Sequence, residues 1–388
     1  MQFAQVAGQT HLKNSLIEAV KEGRIPHAQL FAGAEGYGTF ALALAYAQFV
    51  SCTNRQYYEG RKETELMGDS CGKCPSCLKY SKLVHPDLHF VFPNTTTKKI
   101  DKNNESSLFM EQFREFVLEN DGYIDINSWL EYLKVDNKQG EINVRDAVSI
   151  VRDLTMTTYE SPYKTMIIWC ADRLRHDVAP KLLKILEEPY EGTLFLLITE
   201  NTEAILPTIL SRTQLVKILP IEDTAIEHYL IDTKHFDQQK AATIATNTDG
   251  NLIKALQYDA ETNKEFTELF IKWIRIAFQY RSKASDLSVL VEQIAKMGRE
   301  TQKNFISHVS ELFRECLMCN MGMQIKGGLF RDENTEFRNK FSKFVNTDNI
   351  SGITHLLEQT RYHVSRNANS KILFFDLSLH LGMLLNQQ

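Results

Sequence analysis

Residues 28–40 read Ala-Gln-Leu-Phe-Ala-Gly-Ala-Glu-Gly-Tyr-Gly-Thr-Phe. The first five of them form an apolar run that is typical of a strand. The alanine-rich residues 40–50 that follow are typical of a helix. A strand, a glycine-bearing turn and a helix in this order have the layout of a phosphate-binding βα unit. The segment therefore predicts an α/β domain with a functional loop at residues 33–40.

The loop keeps the frame of a phosphate-binding loop but not its chemistry. The form G-x-x-x-x-G-K-[ST] uses its lysine to neutralise phosphate and its hydroxyl to ligate magnesium. Gly33 and Gly38 hold the frame, with Gly36 between them, but Thr39 stands at the lysine position and Phe40 at the hydroxyl position. Neither replacement can do the work of the residue it replaces. Taken alone, the motif favours a simple glycine-rich turn between a strand and a helix.

Four of the seven cysteines are clustered along the chain. Two residues separate Cys71 from Cys74 and Cys74 from Cys77, and Cys52 lies upstream. Two-residue spacing lets thiolates from one tight turn converge on a tetrahedral ion, and Cys52 can complete the set. We predict a structural zinc ion, fully coordinated by these cysteines, over the alternatives of disulfides or redox thiols. The remaining cysteines, predicted to be small packing residues, are Cys170, Cys316 and Cys319.

The rest of the chain divides into two parts. Residues 164–169 and 193–199 are continuous apolar runs, which predict strands covered on both faces, as in a parallel sheet. Residues 179–188 between them predict a helix that Pro189 ends. From residue 220 onward apolar residues recur three or four apart, which predicts helices only. The chain is therefore interpreted as an α/β domain followed by an all-α half.

Composition limits the class of protein. The 388 residues carry 49 acidic and 44 basic side chains, a net charge of −5, and 43% of them are hydrophobic. This predicts a folded chain of several domains, and the mild acidity argues against a protein that coats nucleic acid. No uncharged apolar run reaches the ~18 residues of a membrane span, and no secretory signal is visible. We expect a cytoplasmic protein.

Several short motifs resemble one known family. The most specific are Leu-Leu-Lys-Ile-Leu-Glu-Glu-Pro at residues 182–189 and Ser-Arg-Thr at residues 211–213. The others are Val-Ala-Gly-Gln at 6–9, Gly-Arg-Ile-Pro-His-Ala at 23–28, the four cysteines, and His-Pro-Asp at 85–87. Together they resemble the AAA+ subunits of bacterial DNA polymerase III clamp loaders, in which the second motif reads Ser-Arg-Cys. The resemblance weakens beyond residue 220, and residues 94–141 have no counterpart in the family pattern.

The resemblance implies a domain organisation and a set of partners. It implies an AAA+-like P-loop core with a parallel sheet at residues 1–220, which contains the zinc module at about 52–77 and the insertion at about 94–141. A helical lid at 221–265 and a helical collar, or oligomerisation, domain at 266–388 would follow. The implied partners are ATP-hydrolysing gamma/tau-like and delta subunits, and through the complex the sliding clamp and primed DNA.

Departures from the family pattern point to a subunit without ATPase activity. The Asp-Glu pair of active members is Trp169-Cys170 in this chain, and Ile253 stands where the lid arginine would be. Because Arg212 is retained, the pattern resembles a delta prime-like subunit, which does not bind or hydrolyse ATP but supplies an arginine in trans to a neighbouring ATPase. The alternatives are a gamma/tau-like motor subunit or a zinc-stabilised adaptor outside replication. Arg212 itself could instead be a surface or sheet-capping residue.

Overall fold

The computed structural model describes residues 1–62, 64–97, 100, 104–135, 140–258, 260–323, 328–330 and 334–386. The chain forms two compact units, Met1–Leu256 and Gln257–Gln388. Among the described residues, no helix is both long enough and apolar enough to cross a bilayer.

The first unit is built on a parallel sheet. Its strands, in chain order, are β1 (Ala28–Ala32), β2 (Gln56–Tyr57), β3 (Gly68–Asp69), β4 (Leu88–Val91), β5 (Lys164–Ile168), β6 (Thr193–Thr199) and β7 (Gln214–Lys217). Five of them form one sheet in the order β4-β5-β6-β1-β7, with parallel pairing throughout, and β2 and β3 form a small antiparallel pair. Every residue of β1, β5 and β6 is buried, as their continuous apolar sequences predict. The predicted α/β fold class is confirmed.

Helices cover the sheet and follow it. They are α1 (Thr10–Lys21), α2 (Thr39–Ser51), α3 (Pro75–Tyr80), α4 (Met110–Glu119), α5 (Ile126–Tyr132), α6 (Val144–Thr155), α7 (Ala179–Glu187), α8 (Pro207–Leu210), α9 (Asp223–Lys234), α10 (Gln238–Thr246) and α11 (Leu252–Leu256). Helix α2 is buried along its whole length, which explains its alanine-rich sequence. Helix α6 begins at Val144 because Asn143 and Asp146 form a capping box at its first turn.

The two ends of the segment at residues 94–141 are joined by backbone hydrogen bonds. Asn94 and Glu141 exchange two backbone hydrogen bonds of 3.1 Å, which close the base of the segment. Beneath this bridge, the buried Asp146 carboxylate accepts hydrogen bonds from the Ser106 backbone N–H (2.7 Å) and from the Asn94 side chain (3.0 Å). The segment contributes the short helices α4 and α5.

The second unit is helical in its described residues. Its helices are α12 (Ala260–Phe278), α13 (Ala284–Ala295), α14 (Arg299–Asn320), α15 (Thr335–Phe341), α16 (Ile350–Ser365) and α17 (Ser370–Asn386). Trp273, Phe305 and Phe374 lie in its fully buried core. The Trp273 indole N–H donates to the Ser378 hydroxyl (2.7 Å), so the buried polar atom is satisfied.

His308 gives this unit a defined pH response. Burial against Phe266 and beside the Thr267 hydroxyl (2.9 Å) lowers the pKa of His308 to about 4. An unfolded histidine has a pKa of about 6.5, so between these values the unfolded chain binds a proton that the folded unit does not. The free energy of unfolding of this unit is therefore highest above pH 6.5 and falls as the pH drops towards 4. We expect a loss of about 2 kcal/mol between pH 7 and pH 5.

Hydrogen exchange of peptides from α12 and α14, corrected for the intrinsic rate at each pH, measures this loss. His308→Gln should remove most of it, because glutamine does not titrate. His355→Gln, at an exposed position on α16, is the matched control and should leave the pH response unchanged. An identical pH response in the wild-type chain and His308→Gln would contradict the assignment.

Candidate functional site

The glycine loop between β1 and α2 is approached closely by two other segments. Gly36 and Gly38 have φ values of +80° and +79°, a conformation that side-chain-bearing residues rarely adopt. A Cβ atom on Gly36 would overlap the Asn251 side chain, and one on Gly38 would lie 3.1 Å from Cε1 of Tyr123. The Leu252 backbone N–H also donates to the Gly36 carbonyl (2.9 Å). The loop is therefore covered by the chain itself.

The structure brings the residues singled out in the sequence around one cavity. The residues of that set that line it are Gly33, Gly36, Gly38, Thr39, Phe40, Trp169, Cys170 and Ile253. Phe40 is buried, and its ring centroid lies 6.2 Å from that of Trp169. Thr39 Oγ1 is buried without a hydrogen-bond partner, so the position of the expected lysine carries a short, neutral group. The glycine loop therefore contributes no cation to the cavity, and its one charged residue, Glu35, is a carboxylate.

The cavity is too small for a nucleotide. Its volume is about 20 Å³, whereas ligand pockets usually measure about 300–1,000 Å³ and one water needs about 10–15 Å³. Gly122, Tyr123 and Ile124, from the segment at residues 94–141, form part of its wall. Sequence reasoning missed these three residues, because no motif links this segment to the glycine loop.

Two carboxyl residues, Glu35 and Glu200, line the cavity. Desolvation, followed by repulsion from the carboxylates of Glu35, Asp172 and Asp125, raises the pKa of Glu200 to about 7. The Thr199 hydroxyl, at the end of β6, donates to Asp172 (2.9 Å) and is therefore already engaged. A cluster of carboxylates repels the phosphate groups of a nucleotide. Around Glu200 the carboxylates outnumber the one neighbouring cation, Arg173, so the local charge opposes nucleotide binding, as the small volume does.

The four clustered cysteines meet in space. Cys52 follows α2, Cys71 follows β3, and Cys74 and Cys77 lie at the first turn of α3. Their Sγ atoms all lie within 4.8 Å of one another, with separations of 3.7 Å (Cys52–Cys71) and 4.0 Å (Cys52–Cys74 and Cys71–Cys77). Tetrahedral zinc with Zn–S bonds of about 2.3 Å needs sulfur atoms about 3.8 Å apart. The donor set therefore fits a metal ion such as zinc.

Backbone groups support the cluster. The N–H groups of Cys71, Cys74 and Cys77 point to the sulfur atoms of Cys52, Cys71 and Cys74 at 3.3–3.4 Å. Such N–H···S contacts orient thiolate ligands in metal sites. All seven cysteines lie in the described part of the chain, and none of them forms a disulfide.

Arg212 lies away from the cavity, at the turn after α8. Its Nη2 forms an ion pair with Glu187, the last residue of α7. Its Nη1 donates to the Thr208 carbonyl (2.9 Å) and to the Ser211 hydroxyl (3.1 Å), while its buried Nε has no partner. The side chain is 32% exposed. Arg212 is thus held at the surface of the first unit by its own chain.

Known proteins resemble about two thirds of this chain. A delta′ subunit of DNA polymerase III from Bacillus subtilis (strain 168) is 28% identical over 268 residues, which are 69% of this chain and 64% of the relative. The delta′ subunit from Haemophilus influenzae is 25% identical over 69% of this chain and 66% of its own. The tau subunit from Escherichia coli (strain K12) is 24% identical over 66% and 32%. The chain thus covers just under two thirds of each delta′ relative.

Among solved structures, a gamma subunit-related protein from Thermotoga maritima aligns over 96% of this chain and 99% of its own, with a TM-score of 0.39 and 13% identity. The family model described as "DNA polymerase III, delta subunit" matches residues 8–222, more than half of the chain. The resemblance seen in the sequence motifs is confirmed by this match and by the delta′ relatives. The chain belongs to the DNA polymerase III delta subunit family and is delta prime-like within the clamp loaders.

Proposed function

We propose that this chain is a clamp-loader subunit of DNA polymerase III that does not hydrolyse ATP and that supplies Arg212 to the ATPase site of a neighbouring subunit. The observation that carries the proposal is the small cavity, about 20 Å³ in volume, beside the glycine loop. Its lining includes each of the residues that replace the groups of an ATPase. The delta′ names of two relatives support the assignment to a clamp loader.

The chemistry of phosphoryl transfer explains why the cavity argues against hydrolysis. Enzymes catalyse this reaction mainly by neutralising charge and aligning the phosphates, with lysine, arginine and magnesium as the usual cations. Thr39 and Phe40 supply neither the lysine nor the magnesium ligand. Trp169 and Cys170 follow β5, where the acidic pair would hold the metal, and Ile253 presents an apolar side chain from α11. No single substitution restores such a site.

Arg212 would act on a neighbouring chain by the same chemistry. A guanidinium presents a planar fork of N–H donors that can bind two phosphate oxygens at once. An arginine supplied in trans can raise the rate of phosphoryl transfer by about 10³- to 10⁵-fold. To reach a neighbour's phosphate, the side chain would exchange its ion pair with Glu187 for the phosphate.

The proposal assigns a role to each part of the chain. Residues 1–220 would form the AAA+ core, residues 221–265 a lid and residues 266–388 the collar that joins the other subunits. Cys52, Cys71, Cys74 and Cys77 would hold a structural zinc ion, which would cross-link the end of α2 to α3. The proposed partners are gamma/tau-like ATPase subunits and a delta subunit, with the sliding clamp and primed DNA reached through the complex. Such a protein would act in the cytoplasm.

Reconstitution tests the proposal. Clamp loading on primed DNA by the gamma/tau-like and delta subunits of the same organism should require this chain, and the isolated chain should show no ATP turnover. The matched measurement omits only this chain and should reduce loading to background. Two results would contradict the proposal: full loading without this chain, or ATP turnover by the isolated chain that Gly38→Val abolishes. The second result would favour the gamma/tau-like alternative.

A further inference from the structure

We infer that residues 104–135 are the resident occupant of this chain's nucleotide site and hold the following helical region closed over the glycine loop, as a bound ligand would. The turn Asp121-Gly122-Tyr123-Ile124 contacts the glycine loop and the helical region, and Phe113 of α4 packs into the core of the first unit. The inference rests on the proposed function only in treating the cavity as a former nucleotide site. We call residues 121–124 the plug and residues 223–256, which contain α9–α11, the lid helices.

Tyr123 touches three parts of the first unit at once. Its hydroxyl accepts a hydrogen bond from the Ala7 backbone N–H (2.8 Å), and its ring edge lies against Gly38 of the glycine loop. The same ring packs edge-on against Tyr229 of α9, with centroids 5.6 Å apart. Tyr123 is 4% exposed. One residue of the plug therefore links the N-terminal segment, the glycine loop and the lid helices.

Asp121 adds a polar link to the lid helices. Its Oδ2 accepts hydrogen bonds from Lys234 Nζ (2.9 Å) and from the Tyr229 hydroxyl (3.3 Å), both on α9. The lid helices also contact the loop directly through the Leu252 N–H and the Asn251 side chain. The plug and the glycine loop thus both contribute contacts that hold the lid helices.

Gly122 lets the plug approach α2. Its φ of +73° places it in the left-handed region, where the turn after α4 reverses direction and the Gly122 N–H donates to the Val117 carbonyl (2.9 Å). A Cβ at this position would lie 3.3 Å from Cα of Ala41, in the first turn of α2. A side chain here would therefore be strained in conformation and crowded against backbone.

Helix α4 packs against two of the residues that replace the catalytic groups, Phe40 and Trp169. The ring of Phe113 is fully buried and stacks on Phe92, with centroids 3.8 Å apart and an interplanar angle of 10°. It meets the ring of Phe40 edge-on at 6.0 Å and that of Trp169 at 5.8 Å. Phe40 and Trp169 stand where magnesium ligands would be in an active relative. Their apolar rings therefore do more than remove metal ligands, because they pack against the segment that fills the site.

Hydrogen exchange of the lid helices in the isolated chain tests the inference. Hydrogen exchange of peptides from residues 223–256 should be at least ten-fold faster in Tyr123→Ala than in the wild-type chain, because the link to Tyr229 and the glycine loop is lost. Adding millimolar Mg·ATP to the wild-type chain should leave the same peptides unchanged. Peptides from β6 should keep their wild-type exchange rate, which shows that the sheet is still folded.

Tyr132→Ala is the matched control. Tyr132 lies on α5 of the same segment, but its ring contacts Phe116 and Trp129 rather than the glycine loop or the lid helices. This variant should leave lid exchange unchanged. If Tyr123→Ala also speeds hydrogen exchange of the β6 peptides, the sheet is no longer intact and Asp121→Asn is used instead. This variant removes only the charge that faces Lys234. It should then speed lid exchange several-fold, and the difference from wild type should shrink at high salt.

Two results would overturn the inference. The first is a folded Tyr123→Ala or Asp121→Asn variant whose lid helices exchange at the wild-type rate. The second is protection of the wild-type lid helices by Mg·ATP, which would mean that the site accepts a nucleotide. Neither experiment uses a partner protein, so the inference can fail while reconstituted clamp loading succeeds. Conversely, the plug can hold the lid helices closed in a chain that does not support clamp loading.

Discussion

The double substitution Cys71→Ser, Cys74→Ser is expected to release zinc and to lower the Tm of the first unit by about 10 °C or more. The four sulfur atoms lie 3.7–4.0 Å apart in the measured pairs, so they share one metal-sized space. A hydroxyl is a poor zinc ligand, and two remaining thiolates cannot hold a structural ion. Structural zinc contributes folding energy directly, with apparent binding free energies of about 10–16 kcal/mol in small peptides.

The expected loss is smaller than that binding energy, because the cysteines of the unfolded chain also bind zinc and this reduces the net stabilisation. A loss of about 4 kcal/mol in a unit of this size corresponds to about 10 °C in Tm. Elemental analysis should find one zinc per wild-type chain and less than one tenth of that in the variant. Calorimetry with and without a chelator should show the same shift for metal removal as for the substitution.

Cys319→Ser is the matched control, because Cys319 is a partly exposed thiol on α14 that lies outside the cluster. It should change neither the zinc content nor the Tm. A wild-type chain without zinc, or a disulfide between any two of the four clustered cysteines, would refute the assignment.

The buried strands of the fold could be predicted from the sequence alone. Strands β1, β5 and β6 have uninterrupted apolar sequences because both faces of each strand are covered, and this signal is local. The edge strand β7 was missed, since three of its four residues are exposed and its sequence, Gln-Leu-Val-Lys, has no strong pattern. The short strands β2 and β3 were missed for a similar reason, because a two-residue strand carries no periodicity.

Element ends depended on contacts that the local sequence does not show. Strand β4 ends at Val91, because the Phe92 N–H donates to the Ser106 hydroxyl (3.1 Å) instead of continuing the ladder. The helix predicted at residues 179–188 ends at Glu187. Pro189 explains this end, since a residue before proline is pushed out of the helical region and Glu188 has ψ of 70°.

The sites differ in how far they could be predicted. Cysteine spacing is a local pattern with a geometric meaning, and the structure brings the four sulfur atoms together as that spacing predicts. Arg212 has no such pattern, and only the resemblance of its motif singled it out. Tyr123 could not be predicted, because its role depends on contacts with Gly38 and Tyr229 that form only when distant segments fold together.

Arg212→Ala is expected to silence one ATPase site of the assembled clamp loader while leaving this chain folded. The structure sharpens this expectation, because Arg212 pairs with Glu187 at the surface and both side chains are partly exposed. Such an ion pair contributes only about 0–1 kcal/mol to stability. The Tm and the entry of the chain into the complex should therefore stay close to wild type.

The effect on turnover should be large at one site and moderate overall. Loss of an arginine supplied in trans reduces phosphoryl transfer at the affected site by about 10³-fold or more. Total DNA-stimulated hydrolysis should fall only in part, because the other ATP sites keep their own arginines. Clamp loading should fall more sharply, since it requires the sites to act together. Arg212→Lys should rescue poorly, because an ammonium lacks the planar fork that binds two phosphate oxygens.

Two further variants separate this role from a structural one. Arg175→Ala removes another surface arginine that pairs with a carboxylate, Asp177, and should affect neither hydrolysis nor loading. Glu187→Gln removes the charge that holds Arg212 on its own chain. If the ion pair serves only stability, Glu187→Gln and Arg212→Ala should have the same small effect. If Arg212 acts in trans, Glu187→Gln should keep or raise the activity that Arg212→Ala loses. An assembled complex with Arg212→Ala that loads clamps at the wild-type rate would eliminate the mechanism.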